Sequence, residues 1–158
     1  MIRYAAPGDV PAIVGLVREL AAYEKAPEQV ELTDELLHAA LFGEHAAAYC
    51  HVVEDGSLVV GMALWFVNFS TWVGRYGIYL EDLYVKPEYR RNGYGRALLE
   101  TLARTAVERG YGRLEWAVLD WNSPAIDFYK TLGATPQDEW TVYRVTGDAL
   151  TALGGGAS

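Results

Sequence analysis

Leu80-Glu81-Asp82-Leu83-Tyr84-Val85-Lys86-Pro87-Glu88-Tyr89-Arg90-Arg91-Asn92-Gly93-Tyr94-Gly95 decides how this chain is read. Two carboxylates sit inside a run of strand-forming residues, and the run stops at Pro87. An Arg-Arg-Asn-Gly-Tyr-Gly turn then leads into a helical stripe through Leu98, Leu99, Leu102, Ala103 and Ala106. Backbone N–H groups at such a helix start form a site for an anion of the pyrophosphate kind, with glycines allowing close approach and Arg90, Arg91 and Arg96 adding positive charge. The turn lacks both the Lys-Ser/Thr ending of a Walker loop and the GxGxxG spacing of a dinucleotide fingerprint. On pattern alone, a glycine-rich turn beside a solvated basic face stands as the competing reading.

Working outward, Ile2-Arg3-Tyr4 reads as a short strand, and Asp9 with Pro11 opens a helix to about Tyr23. The buried face of that helix carries Ile13, Leu16, Val17 and Leu20. Thr33 caps a second helix to Phe42. Tyr49 to Val53 and Leu58 to Phe69 are strands joined by Glu54-Asp55-Gly56-Ser57, and Ile78 to Val85 is a third. The helix after the turn ends at Gly110 and Gly112. A strand from Leu114 to Leu119, a short helix from Ser123-Pro124 to Gly133 and a last strand from Trp140 to Val145 follow. A meander of strands that later alternates with helices predicts an α/β fold with a mixed sheet. The expectation is one domain over residues 1–153 and a flexible tail over 154–158.

Composition narrows the function. The chain has 158 residues, 51% of them hydrophobic, enough for one core. A formal net charge of -8 argues against nucleic acid as a partner and agrees with a cationic small molecule. No apolar run is long enough for a membrane span, and Met1-Ile2-Arg3-Tyr4 lacks a secretory core, so a cytoplasmic location is expected. Cys50 is the single cysteine, lies in an apolar strand and shows no activating base, so it reads as packing. His38, His45 and His51 have no metal-ligand spacing, and no metal is predicted.

Arg90-Arg91-Asn92-Gly93-Tyr94-Gly95 resembles the Arg/Gln-x-x-Gly-x-Gly/Ala signature of the GNAT acetyltransferases. Four further segments resemble the diamine (spermidine/spermine) acetyltransferases and their thialysine-acetylating relatives within that superfamily. They are Glu19-Leu20-Ala21-Ala22-Tyr23-Glu24, Phe42-Gly43-Glu44-His45, Tyr79-Leu80-Glu81-Asp82-Leu83, and the stretch from Trp121-Asn122-Ser123-Pro124 to Tyr129-Lys130. The resemblance runs from Ile2 to about Leu153. It implies a mostly antiparallel central sheet flanked by helices, with a splayed strand pair holding acetyl-CoA, and a homodimer.

The resemblance also implies site roles. Leu83, Tyr84 and Val85 pair with the pantetheine arm. Arg90, Arg91, Asn92, Gly93, Tyr94, Gly95 and Arg96 hold the pyrophosphate, while Asn122 with Ser123 and Ala125 contacts the cofactor arm. Tyr129 stands where the family places a tyrosine near the cofactor sulfur; a phenol can protonate a departing thiolate. An ammonium must lose a proton before it attacks a thioester, and Glu81 matches the family's base. Consecutive residues of a regular strand face opposite ways, so Glu81 and Asp82 should not share a pocket, but the resemblance implies a bulge in this strand that re-aims one of them. Asp82 and Glu24 are assigned to the cationic acceptor, together with the aromatic faces of Tyr23, Trp72 and Trp140. Glu115-Trp116-Ala117 matches a substrate-contacting stretch in position, not in chemistry. Pro136-Gln137-Asp138-Glu139 is shorter than the acidic loop typical of diamine enzymes, which leaves the amine's identity open. An acetyltransferase for amino-acid or protein N-terminal amines, a non-catalytic acetyl-CoA sensor and a module for another nucleotide remain the alternatives.

Overall fold

A computed structural model describes residues 1–155. Its contacts gather into two compact units, Met1–Leu119 and a second beginning at Asp120. The first holds β1 (Ile2–Tyr4), α1 (Val10–Tyr23), α2 (Asp34–Phe42), β2 (Tyr49–Asp55), β3 (Leu58–Ser70), β4 (Arg75–Val85), α3 (Tyr94–Glu108) and β5 (Arg113–Trp116). The strands lie in the order β1-β2-β3-β4-β5. Pairings are antiparallel up to β4, while β5 runs parallel to β4. The mixed, mostly antiparallel sheet flanked by helices is therefore present.

Alternation along the strands assigns the two faces. Cys50, Val52, Met62 and Tyr84 pack under α1 and α2, against Val10, Ile13, Val14, Leu16 and Leu37. The alternate positions, Val53, Ala63, Trp65, Ile78 and Leu80, are also buried. The buried stripe of α3, Leu98, Leu99, Leu102 and Ala106, packs on β3 and β4. Thr33 caps α2 as expected, its hydroxyl accepting the Leu36 N–H at 3.2 Å. Asp9 works differently: its carboxylate accepts the Ala6 N–H and the Arg3 guanidinium, each at 2.7 Å, and so ties β1 to the start of α1.

Three expectations change. β5 stops at Trp116 rather than Leu119. In the second unit, α4 (Ser123–Thr131) is where the sequence puts it, but Trp140 to Val145 forms no strand among the described residues. Val142 and Tyr143 are 86% and 93% exposed there, so the alternating apolar pattern has no buried face to impose strand geometry. Gly147–Leu153, to which no element was assigned from sequence, forms α5. Of the expected tail, Gly154 and Gly155 close that helix by bonding to the Leu150 and Ala152 carbonyls, and 156–158 lie outside the described residues.

Cys50 is buried, and burial pushes its thiol up to about 12, which makes it unreactive, as its strand position implied. His51 is buried on the α3 face, where its Nδ1 accepts the Trp65 Nε1–H at 3.1 Å. The imidazole must stay neutral to accept, and burial, then the charge of Arg109, lowers its pKa to about 4. The folded value lies below the unfolded one, so stability is complete above about pH 6.5 and is lost as pH falls towards 4. His51→Gln retains an acceptor for the indole and removes the titration. Its melting temperature should fall less between pH 7.5 and 5 than that of the unaltered protein, measured by circular dichroism.

Candidate active site

β4 and β5 are paired only from Gly77↔Arg113 to Leu80↔Trp116. Beyond that point β4 continues through Glu81–Val85, bonded to β3 on one side and, among the described residues, to no strand on the other. Because β5 itself ends at Trp116, the edge of β4 beyond it is open and offers backbone donors and acceptors to an extended amide-bearing ligand. β4 ends where the Lys86 N–H bonds to the Val60 carbonyl and Pro87 begins a single 3-10 stretch to Asn92. Gly93 then turns the chain with φ of 73°, a left-handed conformation that disfavours side chains, and α3 starts with no side-chain cap. A methyl group built on Gly93 or Gly95 would meet nothing within 4 Å. Open N–H groups, open space and positive charge therefore coincide at the turn, and these features fit a pyrophosphate.

The side chains of the turn divide their tasks. Tyr94 donates its hydroxyl to Asp55 Oδ2 at 2.7 Å, fastening the turn to the β2–β3 hairpin. Arg96 makes a loose pair with Glu100 at 3.8 Å, and Arg91 is exposed. Arg90 is committed elsewhere. Its Nε donates to the Val85 carbonyl at 3.0 Å, and its guanidinium lies 5.3 Å from the Tyr23 ring centroid and 5.4 Å from that of Tyr84.

The acids are brought together by a bulge. Leu80 is opposite Trp65 while Asp82 is opposite Leu64, so Glu81 is one residue too many on β4. Plain alternation from Leu80 on the α3 face would return Asp82 to that face. The extra residue shifts the phase, and Asp82 joins Leu64, Met62 and Tyr84 under α1. Burial, then Glu81 and Glu24, pushes the Asp82 carboxyl up to about 6. Glu24, the C-cap of α1, is itself raised by burial. The helix end that carries it is sharply defined. Ala26 N–H bonds to Ala21 O and Lys25 N–H to Ala22 O, with Lys25 at φ of 65° where glycine is usual. Tyr79, two residues before Glu81 and opposite Glu115 in the register, is raised by burial and then by the charges of Glu81 and Glu115. Asn68 donates to Glu115 at 3.5 Å, and Arg113 stands 3.9 Å from the same oxygen.

Within the second unit, Asn122 is a buried N-cap whose Oδ1 accepts the Ala125 N–H at 3.4 Å, with Ser123 as the first residue of α4. Tyr129 is half-buried on the stripe that also holds Ala125, Ile126, Phe128 and Leu132. Trp140 is 67% exposed.

Residues 13–134 match the profile of the Acetyltransferase (GNAT) family. The chain belongs to that family. A thialysine N-epsilon-acetyltransferase of Bos taurus is 45% identical over 98% of this chain and 97% of its own length. The L-ornithine N5-acetyltransferase of Arabidopsis thaliana is 31% identical over 96% of this chain and 86% of its own. Among solved structures, an integron cassette protein from the V. cholerae mobile metagenome superimposes with a TM-score of 0.81, at 26% identity, over 98% of this chain and 96% of that one. The GNAT enzyme described here is thus an acetyltransferase, and no helix among its described residues is long and apolar enough to cross a membrane.

In this acetyltransferase the structure gathers Glu24, Glu81 and Asp82, and sets them beside the open edge from Leu83 to Val85. It does not gather Trp72. That residue is 82% exposed in the β3–β4 turn beyond Arg75. Six residues of strand at ~3.3 Å each put that turn about 20 Å along β4 from Glu81. The sequence reading missed Tyr79, whose place among carboxylates is visible only once β5 is in register. For Arg90, expected among the phosphate cations, the structure adds contacts to the Val85 carbonyl and to the rings of Tyr23 and Tyr84.

Because Asp82 has its folded pKa raised, its ionised form opposes folding. The penalty is absent near pH 4, grows as pH rises through 6, and is complete at pH 7.5. Asp82→Asn should therefore raise the melting temperature at pH 7.5 by a few degrees, and the gain should shrink at pH 5. Thermal scans at the two pH values check both the sign and the trend.

Proposed function

We propose that this acetyltransferase uses acetyl-CoA to acetylate a primary amine of a small cationic acceptor: a diamine, a polyamine or an amino acid of thialysine or ornithine type. The single observation that carries the reading is the cluster of three acids, half-buried Asp82 with exposed Glu24 and Glu81 near it, set by the bulge beside an open strand edge. Acids placed there attract an ammonium and can take its proton, and the names of the relatives point to acceptors with a terminal amine.

Residues 1–153 act in this reading as one catalytic domain, in a cytoplasmic homodimer. Acetyl-CoA, as substrate, lies along Leu83, Tyr84 and Val85, with its pyrophosphate on the turn from Arg91 to Arg96 and Asn122, Ser123 and Ala125 on its arm. A backbone N–H from Leu83 to Val85 polarises the thioester carbonyl. Glu81 takes one proton from the ammonium, through water, and releases it to solvent. The free amine attacks the carbonyl carbon, so that a C–N bond forms and the C–S bond breaks. Tyr129 gives its phenolic proton to the departing sulfur and is restored by the second proton of the nitrogen. A second assignment of the base rests on one feature: a carboxyl near pKa 6 is better matched to proton transfer at neutral pH, and Asp82 has it.

Release of CoA thiol from acetyl-CoA, with product mass, against putrescine, spermidine, spermine, thialysine, ornithine, lysine and short peptides tests the reading. Selective release with one amine class is expected. Binding of acetyl-CoA without product from any amine would instead favour a sensor. Tyr129→Phe should lower kcat by about 10²–10⁴-fold. Glu81→Gln should lose more activity at pH 6.5 than at pH 9, where the free amine is more abundant. If Asp82→Asn shows that pH-dependent loss and Glu81→Gln does not, the base is Asp82.

A further inference from the structure

We propose that Arg90 is a positioning residue that couples the cofactor turn to the acceptor wall, and not a ligand of the pyrophosphate. The inference rests on the acetyl-transfer reading and adds to it an order of assembly.

Arg90 belongs by its backbone to the stretch from Pro87 to Asn92 that delivers the chain to Gly93. By its side chain it belongs to the other side of the site. The Nε donor closes on the carbonyl of Val85, the last residue of β4. The guanidinium meets two rings at nearly equal distances, Tyr84 on β4 and Tyr23 at the end of α1. Tyr23 immediately precedes Glu24, and Glu24 raises the Asp82 carboxyl. Tyr84 continues the chain of contacts, since its hydroxyl donates to Glu19 Oε1 at 3.3 Å and Lys86 Nζ holds Glu19 Oε2 at 2.6 Å. One cation on the turn thus bears on a residue adjoining the acid wall, and a second closes the same network from the strand end.

The end of α1 closes on Lys25, which takes a left-handed conformation that a side chain resists. Capping bonds fix the backbone of that helix end, and the exposed Tyr23 ring beside it is contacted by the Arg90 guanidinium. Fixing the turn with a bound pyrophosphate therefore fixes Arg90, then Tyr23, then the carboxylate that follows it. By linkage the acceptor must tighten the cofactor by the same factor. A planar guanidinium is required for stacking between two rings while donating to a carbonyl; an ammonium keeps the charge but loses the stacking.

The test is calorimetric titration of CoA, and of the panel amine that turns over fastest, each with and without the other bound. It is applied to the unaltered enzyme, Arg90→Met, Arg90→Lys and Tyr23→Leu. The unaltered enzyme should bind the amine about fivefold or more tighter with CoA present, in the usual range of coupling between sites. In Arg90→Met the coupling should fall to about one while the CoA Kd moves by less than about threefold, with KM for the amine rising more than kcat falls. Arg90→Lys should recover part of the coupling. Tyr23→Leu leaves the turn intact and should abolish the coupling too, and the double variant should be no worse than either single, which keeps the idea open to failure if Arg90→Met folds poorly. A tenfold weaker CoA with coupling retained would make Arg90 a phosphate ligand and overturn the proposal. So would absence of coupling in the unaltered enzyme. An unaltered enzyme that transfers acetyl to nothing sinks the functional reading instead, which separates the two failures.

Discussion

β4 carries one residue more than β3 opposes, and the candidate site depends on that mismatch. Without the extra Glu81, Asp82 would face α3 among the buried side chains of Trp65, Ile78 and Leu80, where an ionised carboxylate would be cut off from solvent. With it, Asp82 turns under α1, next to Glu24, while Leu83 and Val85 keep their side chains in the α3 core. The bulge also falls just after Leu80, the last β4 residue paired with β5. Bulged strands bend and twist more than regular ones, and the change of phase falls where the pairing with β5 stops. A single local feature thereby brings the acids to one face, beside the open edge.

Such an arrangement is unfavourable for the empty protein. Three carboxylates close together repel, and burial raises at least Glu24 and Asp82 above their ordinary values. An ammonium relieves both penalties at once, and so the site's affinity for a cation and its cost to stability are one quantity seen from two sides. Acetyl transfer needs the reverse at the other end of the strand, where the cofactor's phosphates require positive charge. Glu81 and the turn after Val85 are separated by little more than the length of the open edge, and the sequence sets opposite charges at its two ends.

Much of this was legible in the sequence because it depends on local chemistry. The Thr33 cap, the helix start after the glycine turn, the apolar stripe of α3 and the extent of α1 follow from residue type and spacing, and each stands within a residue or two of its expected place. The bulge was foreseen only through the family resemblance, since residue type and spacing in β4 do not mark it. What depends on distant packing was not legible. Trp140 to Val145 has strand composition but, in its own unit, no strand for its backbone to bond, whereas Gly147–Leu153 becomes a helix that its short apolar pattern does not announce. Tyr79 gained meaning only from the parallel register with Glu115.

Arg90 shows why a motif does not assign its own side chains. A signature of Arg, Gly and Gly states that a turn must admit an anion, and backbone geometry satisfies most of that demand: a left-handed Gly93, an uncapped α3 and clear space around both glycines. Once the backbone does so, a cation in the motif is free to serve another contact. Arg90 faces two aromatic rings and a carbonyl, a surrounding that suits a weakly hydrated planar cation better than it suits a phosphate in competition with water. Lys86, a compact ammonium, instead takes the carboxylate of Glu19. With both of these cations engaged, Arg91 and Arg96 are the charges of the turn that remain for an anionic ligand, so the two arginines of the Arg-Arg pair, adjacent in sequence, serve opposite sides of the same site.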